Sequence, residues 1–234
     1  MKGHPLLQFG YVEWGKDFIS APANITRGDG AVVEDMVHYS ASMTAERTLR
    51  HEMQVALSLL QERSDWTTVR RDIIDRNLFQ TRSLRTTTTY LQQIRRRIQI
   101  LDEPLRRAYL AGSLSDQNAL LLYAFTSSYR LAREFVLEVV RHDWQELKPH
   151  ISRSDFLAFV SRKAEQSDVV ARWSPKTIRN LHQVLMAFLG ECQLLRRVES
   201  GRWEITPIAI SPVLKAYVDS TDRYRDFEKI TLNA

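Results

Sequence analysis

Residues 67–101, TTVRRDIIDRNLFQTRSLRTTTTYLQQIRRRIQIL, combine helical periodicity with dense positive charge, and few folds accommodate both. Val69, Ile73 and Ile74 share one side of a helix expected over residues 67–76, and Asn77 is suited to the left-handed conformation that closes it. A tight connection through residues 78–82 leads to Ser83, a good N-cap. Leu84, Leu91, Ile94, Ile98 and Leu101 then recur at three- and four-residue spacing. Arg85, Arg95, Arg96 and Arg97 are expected on the other faces. The stretch reads as a helix-turn-helix-like pair presenting a basic surface.

Two details at the second helix start point to an anion. Thr86, Thr87, Thr88 and Thr89 are β-branched and indifferent to helix, so four together suggest hydroxyls kept for another purpose. Arg85 in the first turn opposes the positive end of the helix dipole, a small cost that an incoming phosphate reverses. A solvated surface helix is the competing explanation of the arginines, and it leaves the threonine run unexplained.

The 234 residues, 44% hydrophobic and 26% charged, suffice for one large domain or two small ones. A net charge of +5 favours polyanionic partners, more so because Arg outnumbers Lys and its planar guanidinium pairs phosphate bidentately. The single cysteine, Cys192, excludes a disulfide framework within one chain, which fits a reducing cytoplasm. The first residues lack the apolar run of a signal peptide, and residues 119–125 are too short to span a bilayer. A cytoplasmic protein with no membrane contact is expected.

Residues 1–38, rich in Gly, Pro and isolated aromatics, read as an extended arm or partly ordered extension. A helical domain follows over 39–148. Its first helix starts at Thr44 and carries Leu49, Met53, Ala56, Leu57 and Leu60; its spine is one long apolar helix over 116–144. Pro149 opens a third segment, 149–234, with a helix over 154–164 and a short helix over 168–172. Ser174 and Pro175 then mark the clearest helix start in the chain, and a hairpin is expected around Glu199-Ser200-Gly201-Arg202. That order is winged-helix-like. Lys176, Thr177, Arg179 and Asn180 stand where a recognition helix would meet DNA, with Arg196, Arg197 and Arg202 on or beside the wing. Residues 219–229 are expected to be an exposed charged end. The fold class is thus mainly α: a helical bundle with a helix-turn-helix-like N-terminal unit and a winged-helix-like C-terminal unit carrying a small β-hairpin.

Catalytic chemistry leaves no trace. His4, His38, His51, His142, His150 and His182 are scattered without metal-ligand spacing, and phosphate-binding, dinucleotide and nucleophile-elbow motifs are absent. Asp72 and Asp75 read as surface partners of Arg70, Arg71 and Arg76. No enzyme, cofactor or metal is expected.

Tyr39-Ser40-Ala41-Ser42-Met43-Thr44, Asn77-Leu78-Phe79-Gln80 leading into Arg82-Ser83, Trp173-Ser174-Pro175-Lys176-Thr177, and Ile205-Thr206-Pro207 with Ile210-Ser211-Pro212 and Tyr217 resemble the BrxA family, small accessory proteins of bacterial BREX phage-exclusion systems. The resemblance spans residues 39–217. It implies a non-enzymatic, mostly helical protein that binds DNA and supports a defence complex containing a methyltransferase, a phosphatase-like protein and ATPases. It supplies no catalytic residues, so the expected DNA contacts come from the residues themselves: Arg82, Ser83, Arg85, Thr86, Thr87, Thr88, Arg95 and Arg96 in the first unit, and Lys176, Thr177, Arg179, Asn180 and Arg202 in the second. Double-stranded DNA is the leading partner. The same faces would also suit a scaffold docking other defence-system proteins, or RNA.

Overall fold

The structure, a computed structural model, describes residues 38–234; the expected N-terminal arm lies almost wholly outside these. A 3-10 turn, Ser42–Ala45, precedes α1 (Arg50–Arg63), α2 (Trp66–Asp75), α3 (Leu84–Ile100), α4 (Glu103–Ala111) and α5 (Leu114–Thr126). Then come α6 (Arg130–Phe135), a π-helical segment (Val136–Val140) and α7 (Arg141–Gln145). The remainder is β1 (His150–Ser152), α8 (Arg153–Gln166), α9 (Asp168–Ala171), α10 (Pro175–Glu191), β2 (Leu195–Glu199), β3 (Arg202–Ile205), α11 (Pro212–Asp219), a 3-10 turn (Asp222–Tyr224) and α12 (Phe227–Thr231).

Local chemistry sets most helix starts. The Asp65 carboxylate accepts from Thr67 and Thr68 N–H, starting α2 one residue before the sequence expectation. Ser83, Asp102, Ser113, Ser174 and Ser211 cap α3, α4, α5, α10 and α11 in the same way, with proline in the first turn of α4, α10 and α11.

Helix α1 departs from expectation. It begins at Arg50, after Leu49 in a left-handed conformation, rather than at Thr44. The intervening backbone is held elsewhere: Gln93 donates to the Ala45 carbonyl at 2.9 Å and accepts from Arg47 N–H at 3.3 Å.

The expected spine over 116–144 is two rods, not one. Helix α5 ends where Thr126 and Ser128 turn their hydroxyls back onto the carbonyls of Leu122 and Ala124, at 2.9 and 2.8 Å, and Tyr129 is extended. Residues 119–126 are buried all round, as a central helix requires.

The sheet is antiparallel, ordered β1-β3-β2, with Ile151 opposite Trp203 and Leu195 opposite Ile205. Gly201, at φ +75°, closes the β2–β3 hairpin in a conformation that favours glycine. The end of the chain also corrects its expectation. Tyr224, Phe227, Ile230 and Leu232 are buried, with the rings of Tyr224 and Phe227 packed on Tyr123 of α5 at 5.6 and 5.2 Å. Only the charged side chains between them, such as Arg225 and Lys229, face water.

Candidate nucleic-acid interface

Asn77 and Gln80, both at positive φ, turn the chain from α2 towards α3; Asn77 Oδ1 accepts from Thr81 N–H at 3.1 Å and its Nδ2 donates back to Thr81 O at 3.3 Å. Ser83 then accepts from Thr86 N–H at 3.2 Å. Arg82, Ser83 and Arg85 are exposed around a first turn with no acidic residue.

The threonine run has a local explanation that its sequence did not reveal. Thr86 shares its hydroxyl with Ser83 at 2.9 Å, and Thr89 donates to Arg85 O at 3.0 Å. Thr87, expected among the contacts, is only 4% exposed; its hydroxyl donates to Ser83 O at 3.2 Å and also meets Thr81. Burial takes it out of reach of a phosphate. Thr88 is half-buried.

Arg95 lies on the exposed side of α3, but Arg96 and Arg97 turn inward. Arg96 Nη1 donates to the Tyr129 hydroxyl and lies 3.6 Å from Glu46 Oε1, its guanidinium 5.3 Å from the Tyr129 ring centroid. Arg97 is 1% exposed, paired to Glu46 at 2.5 Å and donating to the carbonyls of Arg47 and Thr48. Tyr129 adds a hydrogen bond to Glu46. The apolar stripe of α3 was legible; that a polar network backs its other face was not. Arg96, its side chain 28% exposed, is thus engaged by Tyr129 and Glu46, and a charge reversal of Arg95, Arg96 and Arg97 together would strike the buried Arg97 and disrupt the fold.

The second cluster sits at the start of α10. Ser174 accepts from Thr177 N–H at 3.1 Å and shares a hydrogen bond with the Thr177 hydroxyl at 2.9 Å, while Lys176 and Arg179 are exposed and Asn180 half-buried. Farther along, Thr44–Thr48 lie across α10 at Val184, Phe188 and Glu191, leaving its first half as the open part. On the hairpin, Arg202 pairs with Glu199 at 3.2 Å and Arg196 with Glu204, so part of the wing charge is neutralised.

Between α10 and the hairpin runs a groove of about 740 Å³, with Arg153, Arg179, Arg197, His182 and Trp203 in its walls. Residue reasoning passed over Arg153 and His182. Arg153 enters because β1 brings the start of α8 beside the hairpin turn, where Arg153 N–H donates to Gly201 O at 3.2 Å. His182 is wedged between Phe156 and Trp203, 5.1 and 5.5 Å between centroids; burial, with Arg153 adding, holds its imidazole below the ordinary value. Arg153 and Arg179 therefore meet a neutral neighbour near pH 7.

These features define a mainly helical protein with one small three-stranded antiparallel sheet. The chain belongs to the BrxA family, accessory proteins of BREX phage defence, whose family model matches residues 37–222. It is 27% identical over 164 residues to a "BREX protein BrxA" of Bacillus cereus (strain H3081.97), covering 70% of this chain and 82% of the relative. It is 25% identical over 143 residues to another of that name from Escherichia coli O9:H4 (strain HS), covering 61% and 67%. The fold is shared with the crystal structure of an uncharacterized protein from Magnetospirillum magneticum, TM-score 0.68 and 18% identity, covering 82% of this chain and 98% of that one. No helix among the described residues is long and apolar enough to cross a membrane.

Proposed function

We propose that this chain is a non-enzymatic, double-stranded-DNA-binding accessory protein of a BREX-like phage-defence system. The observation that carries this reading is the electrostatics of two helix starts. Helices α4, α5 and α8 begin with Glu103, Asp116 and Asp155, which complement the helix dipole. Helices α3 and α10, like α2, α6 and α11, carry no acid in the first turn, and they have the exposed Arg82, Arg85, Lys176 and Arg179 around it. Exposed cations beside the positive end of a helix dipole favour a phosphate.

The order β1, α8, α9, α10, β2, β3 supports a winged-helix reading, in which α10 would be the recognition helix. Arg153, Arg179 and Arg197 in the groove behind it extend the positive surface towards the wing. Thr177 and Asn180 supply neutral hydrogen-bonding groups on the same helix face.

Fluorescence anisotropy with a labelled duplex at near-physiological salt tests this. Arg82→Glu with Arg85→Glu, and separately Lys176→Glu with Arg179→Glu, are expected to weaken binding about tenfold or more and to flatten its salt dependence. Folded variants that bind duplex as the wild type does would sink the assignment. Stronger capture of RNA in direct competition would replace DNA by RNA, and no shift of any nucleic acid would leave protein docking as the role of these faces.

A further inference from the structure

The Glu46–Arg97 pair occupies a position that neither core formation nor phosphate contact explains. Burying an ion pair rarely stabilises more than apolar residues of the same shape would, because both ions lose their hydration. The guanidinium of Arg97 nevertheless reaches three acceptors at once: Glu46 at 2.5 Å and the carbonyls of Arg47 and Thr48. It also packs on α10, where it lies 5.3 Å from the ring centroid of Phe188. The same short segment is tied to α10 a second time, by Thr48 Oγ1 donating to Glu191 and by Arg50 donating to the Glu191 carbonyl at 3.1 Å. Residues 46–50 are therefore a bracket between α3 and α10.

The bracket holds both helices near their C-terminal ends. Arg97 and Phe188 each lie about 13 residues, or roughly 20 Å, from the start of their own helix. The two basic starts are thus the far tips of two helices that share this junction, both of which also pack on α5, and their separation cannot exceed roughly 45 Å. That span compares with about 34 Å for one turn of B-DNA. A swing of about 10° at the junction would carry a tip roughly 3.5 Å, close to the rise of one base pair.

We propose that Arg97, locked by Glu46 and seated on Phe188, is a positioning residue that fixes the separation of the two helix starts so that both engage a single duplex. This rests on the DNA-binding reading above. With the junction rigid, the second contact is effectively intramolecular and raises affinity without any new contact; with the junction loose, each start binds alone. Direct contacts are untouched, since Arg97 is withdrawn from the surface.

The test compares a duplex of roughly two helical turns with a loop-closed duplex of less than one turn, for the full chain and for Glu46→Gln/Arg97→Met, a double change that removes both charges of the buried pair. The wild type is expected to bind the long duplex at least about tenfold more tightly than the short one. The double variant loses that advantage and keeps its short-duplex affinity. Phe188→Leu, which removes the ring under the guanidinium while leaving Glu46 and Arg97 paired, is expected to do the same and serves if the double variant does not fold; because it also removes the stack on Phe125, it is read against Phe125→Leu, which loses that stack alone and is expected to keep the length advantage. Faster amide exchange over residues 45–50 should accompany the loss. A folded variant that retains the length advantage overturns the proposal. A wild type that binds both lengths equally overturns it too, and a wild type that binds neither overturns the DNA reading itself.

Discussion

The ring of Phe188 in α10 is stacked on that of Phe125 in α5, with centroids 3.9 Å apart and planes 12° from parallel. Both side chains are almost fully buried, so this stack is where the helix with the second basic start meets the central helix. Truncation of Phe188→Ala removes the stack and opens a cavity. The expected loss is about 3–5 kcal/mol in urea unfolding, against about 1 kcal/mol for a methylene-scale change elsewhere in the core. A loss below about 1 kcal/mol would show that the two helices are held together by other contacts.

Removing Glu46 alone leaves the Arg97 charge buried, with only Arg47 and Thr48 carbonyls to meet it. Glu46→Ala is expected to cost about 3–5 kcal/mol, most of it recovered when Arg97 is replaced by Met in the same chain. Denaturation midpoints of the two single variants and the double variant form the cycle; simple additivity would contradict the pairing.

Glu134 ties three elements together: it accepts from Tyr39 at 2.5 Å, from Arg130 at 2.7 Å and from Lys163 at 2.8 Å. Burial alone would raise its pKa; the hydrogen bonds from Lys163, Tyr39 and Arg130 overcome that and hold it below the ordinary 4.5. A folded value below the unfolded one means stability that is complete above about pH 4.5 and declines as pH falls through the folded value. Against Glu134→Gln, the wild type should therefore be the more stable near neutrality, with the gap narrowing on acidification. A gap independent of pH would assign the effect to hydrogen bonding without charge.

Cys192 is wholly buried at the end of α10, and loss of hydration pushes its thiol up to about 12. The thiolate is the reactive form, so alkylation of the folded protein at pH 8 should proceed at the rate of unfolding, far below that of a free thiol. Because the folded pKa is the higher one, this residue contributes stability below the unfolded value near 8.5 and loses it as pH rises towards the folded value. Prompt labelling without denaturant would contradict the burial.

What the sequence disclosed follows the range of the forces involved. Ser83, Ser174 and Pro175 mark helix starts because capping is decided within three residues. The short strand β1 escaped notice because its only partner, β3, is some fifty residues away and His150-Ile151-Ser152 carries no alternation long enough to register. Arg97 looked like its neighbours on a helical wheel; its fate depended on Glu46, 51 positions upstream. Thr87 misled in the opposite direction, since a hydroxyl returned to its own helix start resembles, in sequence, one held for a ligand. The burial of Tyr224, Phe227 and Ile230 was legible in their three-residue spacing, yet the charges between them suggested an open end.

That closing segment bears on how the chain reaches its native state. Residues 119–126 of α5 are buried all round, and part of their cover comes from residues a hundred positions downstream, where Tyr123 also donates to the Arg223 carbonyl. During synthesis the central helix must therefore wait, partly bare, until the far end of the chain has emerged. Long-range closure of this kind makes folding a late, whole-chain event and leaves the nascent protein adhesive in the meantime. Demand for chaperones should consequently concentrate in that interval.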